Sequence, residues 1–176
     1  IGCDLWSNEE GFEQEVAGVG VNGICGSGII EVIAEMYLAR IINQDGVVDG
    51  RLKERTERVV AEGRTWSYIL YRGESTIRIT QNDVRAIQLA KAALYAGVRL
   101  LMDRMHVERI DRIRLAGAFG NHIDVKYAMI LGLIPDCDLD HVSSAGNAAG
   151  VGARIALLDK KGRREIEDVV HRIEKV

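Results

Sequence analysis

The chain predicts an α/β fold: a mixed sheet flanked by helices, with a small antiparallel insertion. Three features carry that expectation. Helical periodicity runs from Thr80 to about Met105. A short alternating stretch, Arg112-Ile113-Arg114-Leu115, follows it and runs into Ala116-Gly117-Ala118-Phe119-Gly120-Asn121, a turn punctuated by glycine. Between Val59 and Ile79, three brief strand candidates are separated by Gly63 and Gly73, which reads as an antiparallel patch.

Length and composition set the outer limits. The 176 residues fit one domain, large enough to bury a core without disulfides or metals, with residues 43–80 as a candidate small subdomain. Apolar content of 47% and charged content of 28% are those of a soluble globular protein. A net charge of -3 argues against a nucleic-acid surface, and the one basic run, Lys160-Lys161-Gly162-Arg163-Arg164, reads as closing one helix and opening the next. No apolar stretch is long enough to span a bilayer. Cys3, Cys25 and Cys137 are few, odd in number and widely spaced, so reduced thiols and a cytoplasmic location are expected. His106, His122, His141 and His171 show no ligand spacing, and no metal site is expected. The chain opens on Ile1 and its first methionine is Met36, so it reads as processed or as a piece of a longer protein.

Taken in order, Gly18-Val19-Gly20-Val21-Asn22-Gly23 matches the dinucleotide pattern G-x-G-x-x-G, but a helix does not open on its third glycine. Gly26, Ser27 and Gly28 are better placed. Ser27 suits an N-cap, and Ile29, Ile30, Ile33, Met36, Tyr37 and Ile41 then recur at helical spacing. Free amides and the helix dipole there would favour a phosphate, while a crowded helix entry that admits only glycine explains the same residues equally well. Asp45-Gly46 and Asp49-Gly50 are turn chemistry, and Arg51 to Arg58 is a short helical candidate. Strands are expected at Val59 to Ala61, Ser67 to Tyr71 and Thr76 to Ile79, with Trp66, Tyr68 and Tyr71 as packing residues.

Thr80 with Asp83 three residues on is a capping pattern for the long helix. Ala86, Ala90, Ala93 and Gly97 form a stripe of small residues, which predicts that another backbone lies close and that this helix is central and buried. Gln88 and Lys91 would then be polar groups beside a buried surface. A strand that ends in two glycines before a helix is where open α/β sheets hold ligands, although the Gly117–Gly120 spelling also suits a tight turn with nothing bound. Asp124 can cap a helix that Gly132 and Pro135 end. Val142 to Ala145 is a strand candidate, followed by a helix from Gly146-Asn147-Ala148 to Leu158 and an amphipathic one over Glu165 to Val176.

This order of elements resembles the ribonuclease H-like C-terminal lobe of the actin, sugar kinase and chaperone superfamily of ATPases. Leu115 to Asn121 stands in the adenosine-motif position, and Gly150-Val151-Gly152-Ala153 resembles the closing helix. Gly23-Ile24-Cys25-Gly26-Ser27-Gly28-Ile29-Ile30, Ile79-Thr80-Gln81 with Gln88-Leu89-Ala90-Lys91, Leu115 to Asn121 and Gly146-Asn147-Ala148-Ala149-Gly150 are together similar to one branch. That branch is the C-terminal domain of the ferredoxin-containing reductive activators of corrinoid proteins. The resemblance spans roughly residues 18–160.

The resemblance implies the nucleotide-binding lobe of an ATP-dependent activator that returns a cobalt(II) corrinoid to cobalt(I). ATP with Mg²⁺ would be the nucleotide, and an iron–sulfur cluster on a domain outside this chain would deliver the electron. Adenine would rest against Gly117, Ala118, Phe119, Gly120 and Asn121, and Gly26, Ser27 and Gly28 would lie near the phosphates. Gln88 and Lys91 complete the candidate nucleotide-binding set. The resemblance implies a corrinoid protein and the remaining domains of the same protein as partners, and a homodimer is a further possibility. Two departures matter: the adenosine motif reads Gly-Ala where the family has Gly-Gly, and the acidic phosphate loops and ferredoxin cysteines are missing. The catalytic residues are therefore not identified here, and the isolated chain is expected to bind nucleotide weakly without turnover. Two other readings fit the residues: a non-catalytic protein-interaction domain, and a Rossmann-type dinucleotide module built on Gly18 to Gly23.

Overall fold

The computed structural model describes residues 20–73, 75–117, 120 and 122–174. Contacts group them into two compact units that part between Ala92 and Ala93. In the first, helix α1 (Gly26–Leu38) buries Ile30, Ile33, Ala34 and Met36, the apolar face that the sequence periodicity marks. It ends where Arg40 turns left-handed at φ 59: Arg40 N donates to Tyr37 O at 3.0 Å and Ile41 N to Met36 O at 2.8 Å, the paired bonds of a Schellman ending. Asn43 then holds the next turn, its Oδ1 accepting from Asp45 N at 3.0 Å and Val47 N at 2.9 Å. Asp49 caps a 3₁₀ turn over Gly50–Glu54, where the sequence suggested a short helix up to Arg58.

Strands β1 (Val59–Glu62), β2 (Thr65–Arg72) and β3 (Thr76–Ile79) form an antiparallel sheet in that order. Gly63, at φ +60, makes the first hairpin turn. The β2–β3 register slips between Ile69 and Tyr71, and Arg58 Nη1 donates to Ile69 O at 3.0 Å and Leu70 O at 2.7 Å. Those carbonyls are thereby satisfied where the ladder is interrupted. Ser67, fully buried, donates its hydroxyl to the Glu62 carboxylate.

Helix α2 (Gln81–Met105) opens on the predicted capping box. Thr80 N and Oγ1 donate to Asp83 Oδ2 at 2.8 and 2.7 Å, and Asp83 N returns to Thr80 Oγ1 at 3.2 Å. At its first position Gln81 is buried and bridges to the 43–50 turn. Its Nε2 donates to Gly46 O at 2.6 Å, and its Oε1 accepts from Val48 N at 3.0 Å. The core of this unit gathers Ile42, Val48, Val59, Ile69, Ile79 and Val84 around the α1 face.

The expectation of a buried α2 is corrected. Past Val84 the helix is largely exposed, with Leu89 at 73% and Met105 at 70% of full accessibility, and Ala86, Ala90 and Ala93 are exposed too. No heavy atom of the described residues lies within 4 Å of where a Cβ on Gly97 would sit. A small-residue stripe permits close approach but does not compel it, and among the described residues nothing makes that approach.

In the second unit α2 ends at His106, φ 53, with Val107 N donating to Met102 O at 2.9 Å. Strand β4 (Ile113–Ala116) pairs in parallel with β5 (Val142–Gly146). Between them α3 (Val125–Ile130) is capped by Asp124, whose Oδ1 accepts from Tyr127 N at 3.1 Å, and is closed by Gly132 at φ +70, as expected. Helix α4 (Ala148–Leu158) follows β5 directly. Helix α5 (Lys160–Val170) starts five residues before the predicted Glu165, because Asp159 Oδ1 accepts from Lys161 N at 2.9 Å and draws the basic run into the helix. Among the described residues of this unit only Ala128 and Leu133 are buried apolar groups. No helix among the described residues is long and apolar enough to cross a membrane.

Candidate functional site

The parallel pair creates the one edge in the second unit with the form of a ligand platform. Ile113 pairs with Val142, Arg114 with Ser143 and Leu115 with Ser144; the register then slips so that Ala116 faces Gly146. Strand β5 ends on Gly146, and Gly117 is the first residue after β4. Gly117 N donates to Gly146 O at 2.8 Å, and Gly146 N donates to Ser144 Oγ at 3.1 Å. Gly117 has φ +100 and Gly146 has φ +63, so both backbones lie where side chains are disfavoured. No heavy atom of the described residues lies within 4 Å of the Cβ position at either. Among the described residues the C-terminal edge of the pair thus presents bare backbone, at the end of the strands where parallel sheets receive ligands.

Gly120 has a different reason to be glycine. A Cβ there would sit 3.0 Å from the Leu115 carbonyl carbon and from Leu115 Cβ, so the turn folds directly onto the strand it left. Ala118, Phe119 and Asn121 lie outside the described residues. Asn147 caps α4, its Oδ1 accepting from Gly150 N at 2.9 Å, and a Cβ on Gly150 would fall 2.6 Å from Asn147 Nδ2. Gly146 is not among the residues the sequence marks for nucleotide binding, although it opens the Gly146–Gly150 motif. What singles it out is the parallel pairing that sets it opposite Ala116 and lets its carbonyl accept from Gly117 N, which no local pattern encodes.

A separate cleft of this unit lies elsewhere. It measures about 680 Å³ and is lined by Met102, Ile110, Leu133, Pro135 and their neighbours. Its walls include Glu108–Asp111 and Asp138–His141, the segments that enter β4 and β5, so it opens at the N-terminal ends of the strands. Strand geometry favours the glycine edge, which lies at the C-terminal ends of the strands.

In the first unit the candidate residues have structural partners. The N-cap of α1 is Cys25, not Ser27: the helix begins at Gly26, which puts Ser27 inside its first turn. Cys25 Sγ accepts from Gly28 N at 3.3 Å and lies 3.4 Å from Ser27 Oγ. The Ser27 hydroxyl first, then the Gly28 amide, hold the exposed Cys25 thiol below its ordinary pKa of 9.0. A Cβ on Gly28 would meet Cys25 Sγ and Ile24 Cγ2 at 3.2 Å, so crowding at the helix entry accounts for that glycine.

Gln88 Nε2 donates to Asp45 O at 2.9 Å, and a Cβ on Gly46 would fall 2.4 Å from it. Its amide braces the 43–50 turn and is not directed at the α1 entry. Lys91 is exposed on α2 and makes no ion pair among the described residues. The dinucleotide pattern needs a strand before Gly18, which lies outside the described residues; from Gly20 to Ile24 there is no regular structure, and the helix opens three residues past Gly23. Among the described residues no three His, Cys, Asp or Glu side chains converge on a metal position.

Comparison with known proteins adds three findings. A family model described as the C-terminal domain of RACo, the ASKHA domain, matches residues 3–176. The corrinoid activation enzyme RamQ of Eubacterium limosum is 39% identical over 151 residues, which are 79% of this chain and 26% of that protein. A solved structure of a reductive activator for corrinoid, iron–sulfur protein superposes with a TM-score of 0.77 at 34% identity, covering 89% of this chain and 26% of the other. The chain spans about a quarter of the length of these relatives.

Proposed function

The chain belongs to the family of RACo C-terminal ASKHA domains, and from that premise we propose that it is the nucleotide-binding C-terminal lobe of an ATP-dependent reductive activator of corrinoid proteins. Its part is to supply the adenosine side of the cleft. The observation that carries this reading is the pair of facing strand ends, Gly117 and Gly146, both left-handed and both open where a side chain would be. A flat base can lie against backbone only where no Cβ intervenes. The two relatives, named for corrinoid activation and for a corrinoid iron–sulfur protein, supply the substrate class. The partner is then a corrinoid protein, met in the cytoplasm by a larger protein that pairs with a second copy.

Hydrolysis needs more than this lobe provides. Phosphoryl transfer requires a metal-bound phosphate and a positioned acceptor. No converging acid set among the described residues fits Mg²⁺, so this reading assigns the ion no ligand among them. Cys25 and Cys137 are single exposed or half-buried thiols and do not fit an iron–sulfur cluster. Both groups are assigned to the rest of the full-length protein.

Isothermal titration of the chain with ATP and Mg²⁺ tests the proposal. Weak, saturable binding without phosphate release is expected, and Gly117→Val should abolish the binding while the variant stays folded by circular dichroism. Binding that survives Gly117→Val would remove the adenosine assignment. A melting temperature indifferent to nucleotide would favour a docking domain instead.

A further inference from the structure

The 43–50 turn and the β1–β2 hairpin of the first unit enclose a cleft of about 480 Å³ that the nucleotide reading does not use. Its lining contains three arginines, Arg51, Arg64 and Arg85, and a single carboxylate, Asp49. That is a concentrated positive charge on a chain whose net charge is -3. Asp49 is already committed: Arg51 Nε donates to its Oδ1 at 3.0 Å and Nη2 to its Oδ2 at 2.8 Å. Arg64 and Arg85 carry no ion pair among the described residues. Two guanidiniums therefore border the cleft without a counter-charge.

The walls are fixed in place before any ligand arrives. Gln81, buried at the cleft floor, ties down Gly46 and Val48 through both ends of its amide. Asn43 holds the same turn from within. The Trp66 indole lies so close on Gly50 that a Cβ there would fall 2.1 Å from the ring, and Lys53 Nζ sits 5.4 Å from its centroid. A prebuilt pocket loses little affinity to ordering, and its volume falls in the range of small-molecule sites. Guanidinium forks match the paired oxygens of carboxylates and phosphates.

We propose that this cleft binds a small molecule bearing at least two oxyanion groups, held by Arg64 and Arg85 against the Trp66 wall. Phosphate esters and polycarboxylic acids share that chemistry.

Trp66 provides the readout. In a Trp6→Phe background it is the sole tryptophan, and its fluorescence is titrated with inorganic pyrophosphate and with citrate at fixed ionic strength. A saturable change with either anion is expected. Response to pyrophosphate alone assigns phosphate esters, to citrate alone polycarboxylates, and to both the shared oxyanion chemistry. Arg64→Ala with Arg85→Ala should weaken binding at least about tenfold, because each lost charge-assisted bond is worth that much or more. Arg64→Lys with Arg85→Lys keeps the charge, loses the fork and should fall between, which guards against a misfolded alanine pair. Absence of saturation with both anions, or equal affinity in the alanine pair, or a response matched by sodium chloride, overturns the proposal.

Discussion

Cys25 shows how much one side chain can alter a reading drawn from neighbours. Serine is the familiar cap, so Ser27 drew attention; yet the thiol two residues earlier takes the Gly28 amide, and the helix starts sooner. A cysteine N-cap has no strong sequence signature, because thiols accept hydrogen bonds weakly. The arrangement predicts chemistry. Folding lowers the Cys25 pKa, so the stabilisation it lends is full above the unfolded thiol's value and is lost as pH falls through the folded one. Alkylation of Cys25 by iodoacetamide should therefore show a midpoint below 9.0, and Ser27→Ala should raise that midpoint, since the Ser27 hydroxyl is the leading cause of the shift. Mass spectrometry of the modified peptide across a pH series reads it directly. Gln81 makes a second residue-scale case. Gln81→Ala strands the Gly46 carbonyl and the Val48 amide, and should cost about 3 kcal/mol in urea unfolding.

Elements were legible wherever a local rule had a single solution. Thr80 with Asp83, Asp124, Gly132 and the hairpin glycine Gly63 all act as their spelling suggests, because caps and tight turns are decided within four residues. Two helix ends were not legible as Schellman turns, since Arg40 and His106 take the left-handed position that glycine usually fills. Such residues pay no visible penalty in sequence, but each carries about 1 kcal/mol of backbone strain. His106→Gly and Arg40→Gly should therefore each raise the melting temperature, by a few degrees at most after the added unfolded-state freedom of glycine is subtracted. A fall at either position, followed by differential scanning calorimetry, would mean that the side chain contributes more than the strain removes. The partner of Gly117 was illegible for another reason. Strand pairing joins residues 29 positions apart, Gly117 with Gly146, and no window of local sequence contains both.

At the scale of the molecule, burial is uneven. Ten of the twelve buried apolar residues among those described belong to the first unit, from Ile30 to Val84, and only Ala128 and Leu133 to the second. Sequence hydropathy did not reveal this, because Leu94, Leu101, Leu157 and Leu158 are as apolar as core residues and yet are exposed. Apolar content reports what could be buried, and only tertiary contact decides what is. Since hydrophobic burial is the main favourable term in folding, local opening should be cheaper in the second unit. Native-state hydrogen exchange on the chain alone should then find the amides of β2, between its two partner strands, more protected than those of β4 and β5. Adding ATP with Mg²⁺ should raise protection at Gly117 and Gly146 first, because a ligand seated there closes the same edge that opens. Uniform protection in the absence of nucleotide would contradict the burial argument. In that event the exposed leucines must be covered in solution, and the exchange profile should change with protein concentration.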